Sequence, residues 1–199
     1  MKSAMRMRML TLIAAAAMAL GATYGAVQGP SGEAAGGGKG ATGAATAVLI
    51  PAGEPGEPLI VEGRVLCPDG KPVADAPVYL YHTDIQGYYS AGGKDERNPG
   101  ARNSRLRGNL KTDAEGRYQF RTIKPGQYPG SSGPPAHIHY EITPGQKAMQ
   151  AFELIFEGDS RLTPEIRQRA AKHDFFILCA PAKDPQGNLR CREADVMLK

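Results

Sequence analysis

Long apolar runs are scarce in this 199-residue chain. The one that stands out, Leu10 to Leu20, is too short to span a bilayer comfortably. No cysteine closely follows it, which excludes a lipidated N-terminus. Charge of one sign is scarce too: 24 Lys and Arg stand against 20 Asp and Glu, a formal +4. Three of those cations, Lys2, Arg6 and Arg8, precede the apolar run. Without them the balance falls to +1, and no basic stripe interleaved with aromatics remains, so the footprint of a nucleic-acid binder is missing. Tryptophan is absent, cysteine numbers 3 and histidine 4. With so few histidines, any two placed side by side carry weight.

What is present sorts into three segments. A basic start, a short apolar stretch and a small-residue exit around Gly21 to Ala26 describe a secretory signal peptide over residues 1–26. An exported protein, periplasmic or extracellular and free of the membrane once the signal is cleaved, is therefore expected. Residues 27–58 are rich in Gly, Ala, Pro and Thr without periodicity, as in a flexible linker. Val, Ile, Leu, Phe and Tyr cluster after that point, so the folded domain is expected over 59–199, an ordinary single-domain size.

With 25 Gly and 16 Pro in the chain, short strands and turns are favoured over a helical bundle. Leu59 to Leu66 and Ala76 to His82 read as strands around the turn Pro68-Asp69-Gly70-Lys71-Pro72. Leu106 to Thr112, Arg117 to Thr122, His137 to Thr143 and Phe152 to Phe156 follow. Tyr118, Phe120 and Thr122 alternate onto one face. One helix starts at Thr163-Pro164-Glu165, with Thr163 as cap and Pro164 in the first helical position. Phe175 to Ala180 and Arg190 to Leu198 read as a C-terminal hairpin around Asp184 to Asn188. The fold class is an all-β sandwich with one short helix and long loops. Cys179 and Cys191 flank the hairpin turn, and export permits their bridging; Cys67 is then the leftover thiol.

His137-Ile138-His139 is the most informative triplet. In a strand, His137 and His139 project together while Ile138 points into the core. Paired imidazoles make poor core material and good metal ligands. No cysteine lies nearby, and Glu141 shares their face. Tyr128, behind the turn Pro125-Gly126-Gln127, and Tyr89, in Gly87-Tyr88-Tyr89-Ser90, offer phenolate oxygens, which suit Fe(III) over Zn(II). His82 and His173 read as packing and helix-end residues. Gly158-Asp159-Ser160-Arg161-Leu162 faintly suggests a serine-esterase block, but no Asp-x-x-His follows it.

Together these pieces resemble the intradiol ring-cleavage dioxygenases, in their secreted single-domain form. The resemblance is carried by Gly70-Lys71-Pro72-Val73, Ala76 to Asp84 and Gly87-Tyr88-Tyr89-Ser90. It continues through Thr112 to Pro129, which ends in Pro-Gly-x-Tyr-Pro, and Pro135-Ala136-His137-Ile138-His139-Tyr140. It implies a non-haem Fe(III) held by Tyr89, Tyr128, His137 and His139, with Tyr128 the ligand that leaves when substrate binds. The Gly-x-Tyr spacing selects Tyr89 over Tyr88. Its implied substrates are a catechol-type aromatic diol and O2, and its product is a muconate-type diacid; self-association stays open. Two departures stand out. Pro134 occupies the place of the family's Arg, three residues before His137, with Arg105, Arg107 and Arg121 as candidate substitutes, and Tyr81 replaces the usual Trp. The strand motifs alone also resemble transthyretin-like binding modules, which are not catalytic; the histidine pair separates the two readings.

Overall fold

The computed structural model describes residues 45–90, 104–130 and 132–199. The expected signal peptide and most of the expected linker lie outside the described residues. All described residues belong to one compact unit.

Two sheets face each other. The first contains β1 (Ala45–Val48), β2 (Pro58–Leu66), β5 (Arg117–Ile123), β9 (Ala182–Lys183) and β10 (Leu189–Cys191), in the order β1-β5-β2-β10-β9. Its further strand β11 (Val196–Met197) pairs with β2. The second runs β4 (Leu106–Lys111), β3 (Pro77–His82), β6 (His137–Ile142), β7 (Gln150–Phe156) and β8 (Phe176–Cys179). The core lies between them. Tyr118 and Phe120 of β5 meet Val78 and Leu80 of β3, Ile138, Tyr140 and Ile142 of β6, and Phe152, Leu154 and Phe156 of β7, all buried. Period-2 alternation places these residues inward and their neighbours outward.

Helix α1 spans Pro164–Ala171. The Thr163 hydroxyl accepts from the Ile166 N–H, Pro164 opens the first turn, and Glu165 sits at the positive end.

Two expectations need correction. The linker was expected to run to residue 58, yet β1 already pairs in parallel with β5 from Ala45, and Leu49 is buried. A side chain at Gly108 would meet Leu49 at 3.1 Å, so the bare glycine of β4 makes room for that apolar residue. The C-terminal hairpin is shorter than expected. β9 and β10 pair around Asp184 to Asn188, but β8 leaves them and runs parallel to β7 in the other sheet. Ile177 is buried there in register with Leu154, a setting that a two-stranded ribbon cannot supply. The disulfide between Cys179 and Cys191, with Cα atoms 5.8 Å apart, therefore joins one sheet to the other. Cys67 is free.

Candidate metal centre

Strand β6 turns Ile138 into the core and His137 and His139 to the outer face of the five-stranded sheet. Its neighbours set the flanks. Tyr81 of β3 and Glu153 of β7 lie directly opposite His139 in register. The Tyr81 ring stacks on the His139 ring, 4.5 Å between centroids and 18° between planes. His137 is 5% exposed, and the side chains of His139 and Glu153 are 20% and 16% exposed.

Two loops bring the phenols over this face. Asp84 starts the first by accepting from the N–H groups of Gln86 and Tyr88. The second lies against it backbone to backbone: the Gly126 N–H donates to the Asp84 carbonyl at 2.8 Å, and the Thr83 hydroxyl to the Gly126 carbonyl at 3.0 Å. Glycine is required at both contacts. A Cβ on Gly87, whose φ is +87°, would sit 2.0 Å from the Gln127 carbonyl oxygen, and one on Gly126 would sit 2.3 Å from that of Ile85. Tyr89 follows the first glycine by two residues and Tyr128 follows the second by two. Their side chains meet as a result.

The four donor atoms converge. Tyr89 Oη lies 2.6 Å from Tyr128 Oη and 2.8 Å from His139 Nε2. His137 Nε2 lies 3.2 Å from Tyr128 Oη and 3.1 Å from His139 Nε2. The Nδ1 of His137 faces the Pro135 carbonyl at 2.7 Å, which places the ring proton there and leaves Nε2 as a lone pair. His139 turns Nδ1 toward Glu153 Oε1, 3.7 Å away, and its Nε2 is within hydrogen-bonding distance of Tyr89 Oη. The lone pair of His137 Nε2 then lies 3.1 Å from His139 Nε2, close enough for one cation to be shared by the two rings. The donor set of two phenol oxygens and two imidazole nitrogens therefore fits a metal ion.

Burial governs protonation in the absence of a cation. It drives His139 down to about 3, assisted by the neighbouring rings of His137 and His82. It pushes the Tyr89 phenol well up, assisted by the Tyr128 hydrogen bond, and it raises the Glu153 carboxyl. A bound cation opposes this for the phenols, because it stabilises the phenolate charge.

Tyr89, Tyr128, His137 and His139, all singled out from sequence, are brought together here. Tyr88 instead donates its N–H to Asp84. The carboxylate grouped with the histidines is Glu153, not Glu141, which accepts from the Tyr81 hydroxyl at 3.5 Å. Its signal in the sequence was one acid inside the apolar run Ala-Phe-Glu-Leu-Ile-Phe. His82 points inward, its two ring nitrogens bonded to the Thr83 carbonyl and the Thr122 hydroxyl. Of the three arginines proposed to stand in for the family Arg, Arg121 lies exposed on β5 of the other sheet. Arg105 pairs with Glu54 and Asp84, and Arg107 donates to the Ser104 carbonyl.

An all-β sandwich carries a four-donor cluster on one outer sheet face, a site that a metal ion would fit. The chain belongs to the intradiol dioxygenase family. A family model described as Dioxygenase matches residues 35–194. The chain is 42% identical over 166 residues to the protocatechuate 3,4-dioxygenase beta chain of Burkholderia cepacia, covering 74% of this chain and 67% of that one. It is 34% identical over 121 residues to catechol 1,2-dioxygenase 1 of Acinetobacter lwoffii, covering 51% of this chain but 37% of the relative. The structure of catechol 1,2-dioxygenase from Pseudomonas arvilla C-1 superposes with a TM-score of 0.56 at 25% identity, over 79% of this chain and 58% of that one. The chain thus spans two thirds or less of the length of these relatives.

Proposed function

We propose that this protein is an exported, non-haem Fe(III)-dependent dioxygenase that cleaves a catechol-type diol between its two hydroxyl-bearing carbons, using O2 and yielding a muconate-type diacid. The observation that carries this reading is the convergence of Tyr89, Tyr128, His137 and His139 in a chain of this family. Two hard phenolate oxygens and two imidazoles favour Fe(III) over softer divalent ions. Bound there, Fe(III) would supply Lewis acidity toward a chelating diol and draw electron density from its ring, so that the diol and not the iron is what O2 oxidises.

The two tyrosines suit different tasks. Tyr89 is 5% exposed and bonded to both Tyr128 and His139, so it serves as a fixed donor. Tyr128 sits on a loop, is more exposed, and bonds through its hydroxyl to Tyr89 and His137. Its oxygen is the donor that would shift and take up a proton from an incoming diol hydroxyl. The Pro135 carbonyl holds His137 in one tautomer throughout. Export is supported by the basic, apolar and small-residue order of the first 26 residues and by the cystine, which oxidising compartments maintain.

The test is purified, iron-loaded protein given a panel of catechols under O2, with absorption and oxygen uptake recorded. A visible phenolate-to-iron band and oxygen consumption are expected. Colourless, iron-free protein would overturn the assignment. Coloured but inert protein would place the defect at Pro134.

A further inference from the structure

The turn after β7 carries Asp159, Ser160 and Arg161, and its polar atoms reach repeatedly into a single segment. One carboxylate oxygen of Asp159 accepts from the Gln127 side-chain amide at 2.6 Å and from its own turn, the Arg161 N–H, at 2.8 Å. The other oxygen accepts from the Ala136 N–H at 3.0 Å. Ser160 adds a second contact to Gln127 at 3.1 Å. The Arg161 guanidinium donates through one arm to the Tyr128 carbonyl at 3.1 Å and through the other to the Gly130 carbonyl. A side chain on Gly133, whose φ is +148°, would come within 3.3 Å of that guanidinium, so glycine leaves it room to lie close.

The arrangement has a simple logic. Gln127 immediately precedes Tyr128, and Ala136 immediately precedes His137. A single carboxylate therefore grips the chain one residue ahead of each donor, while the guanidinium holds the backbone between the grips. Tyr128 lies outside any strand, so sheet pairing does not fix its carbonyl. We propose that Asp159 and Arg161 are positioning residues that fix the spacing between the Tyr128 oxygen and the His137 ring, and so set the metal geometry. This rests on reading those two atoms as metal ligands. Arginine suits the task because its planar fork reaches two carbonyls at once, which the single ammonium of lysine matches poorly. The sequence hides the device in a segment that resembles a failed esterase motif.

The test uses the full chain, metal-free and iron-loaded, with Arg161→Ala, Arg161→Lys and Asp159→Asn. In the metal-free protein, hydrogen exchange should speed up at amides between Gln127 and His137 in Arg161→Ala and stay unchanged in β3 and β7. In the loaded protein, iron affinity should fall about 10- to 100-fold, the range for losing an outer partner of a ligand, and the visible band should move. Arg161→Lys should recover part of both. The decisive comparison is Arg161→Ala in a Tyr128→Phe background: if Arg161 acts through Tyr128, the second substitution adds little to the first. Additive effects, or an unchanged band and unchanged exchange, overturn the proposal. Asp159→Asn keeps the question answerable if Arg161→Ala does not fold. Wild-type protein without a visible band would sink the iron reading alone, since the exchange measurement still decides whether the clasp holds the segment.

Discussion

His82 and His139 show how one residue type serves opposite ends on neighbouring strands. His82 points into the core, and burial holds it down to about 4 while its ring nitrogens are bonded to Thr83 and Thr122. In the unfolded chain the same ring takes a proton near 6.5. Its neutral form matches the fold fully above about pH 6.5. As the pH falls toward 4, the unfolded chain binds the proton and the folded one does not, so stability drops by roughly 3 kcal/mol. Denaturant midpoints of metal-free protein between pH 7 and 4 should show this loss together with a like one from His139, and His82→Gln should remove the His82 share; a flat profile would mean that the buried rings do charge. At the donors, Tyr89→Phe and Tyr128→Phe should each alter the visible band of iron-loaded protein. Each should weaken iron at least as much as the about 10- to 100-fold expected for an outer partner. An unaltered band in Tyr89→Phe would remove Tyr89 from the ligand set. Both tyrosines and both histidines were legible as residues, because spacing within a strand and beside a turn is local. Glu153 and Arg161 were not, since nothing near them in the chain marks what a neighbouring strand or loop will set beside them.

Elements position those residues by close approach. The two loops that deliver the phenols touch through Gly87 and Gly126, where a Cβ would stand 2.0 Å and 2.3 Å from a carbonyl oxygen. Gly87→Ala adds a positive-φ strain to that clash, so it should destabilise the protein by about 1–3 kcal/mol. It should also diminish the visible band, because it forces Tyr89 and Tyr128 apart; calorimetry and absorption on the same sample check both. Normal colour together with normal stability would show that the loops part without consequence. Most strands and the helix were readable from alternation, turn residues and the Thr163 cap. The edges were harder. β1 looked like linker because its short apolar patch has meaning only against β5 and Gly108. β8 looked like half of a hairpin because its partner, β7, precedes it across the helix.

For the whole molecule, the cystine is the covalent tie between layers. Cys179 ends β8 in one sheet and Cys191 ends β10 in the other, 12 residues apart in sequence. Closing a loop of that length stabilises by about 3 kcal/mol in the chain-entropy account. Cys179→Ser with Cys191→Ser should lower the unfolding free energy by about that amount. Iron binding should be largely retained, because the donors hang on β6 and on loops outside the closed segment. Loss of iron at temperatures where the variant stays folded would show that the layers must be tied for the site to form.

The sequence by itself determined the local facts: strand periodicity, the helix cap, the pairing of His137 with His139, and the two Gly-linked tyrosines. These depend on spacings of a few residues, which the backbone repeats impose. Tertiary structure alone decided which atoms share one point in space. It set Tyr89 of one loop, Tyr128 of another and two histidines of β6 within hydrogen-bonding distance. It chose Glu153 over Glu141, and it sent Arg161 across to the Tyr128 carbonyl. Sheet register and loop contact between distant segments make those choices, and no short window of sequence contains both partners.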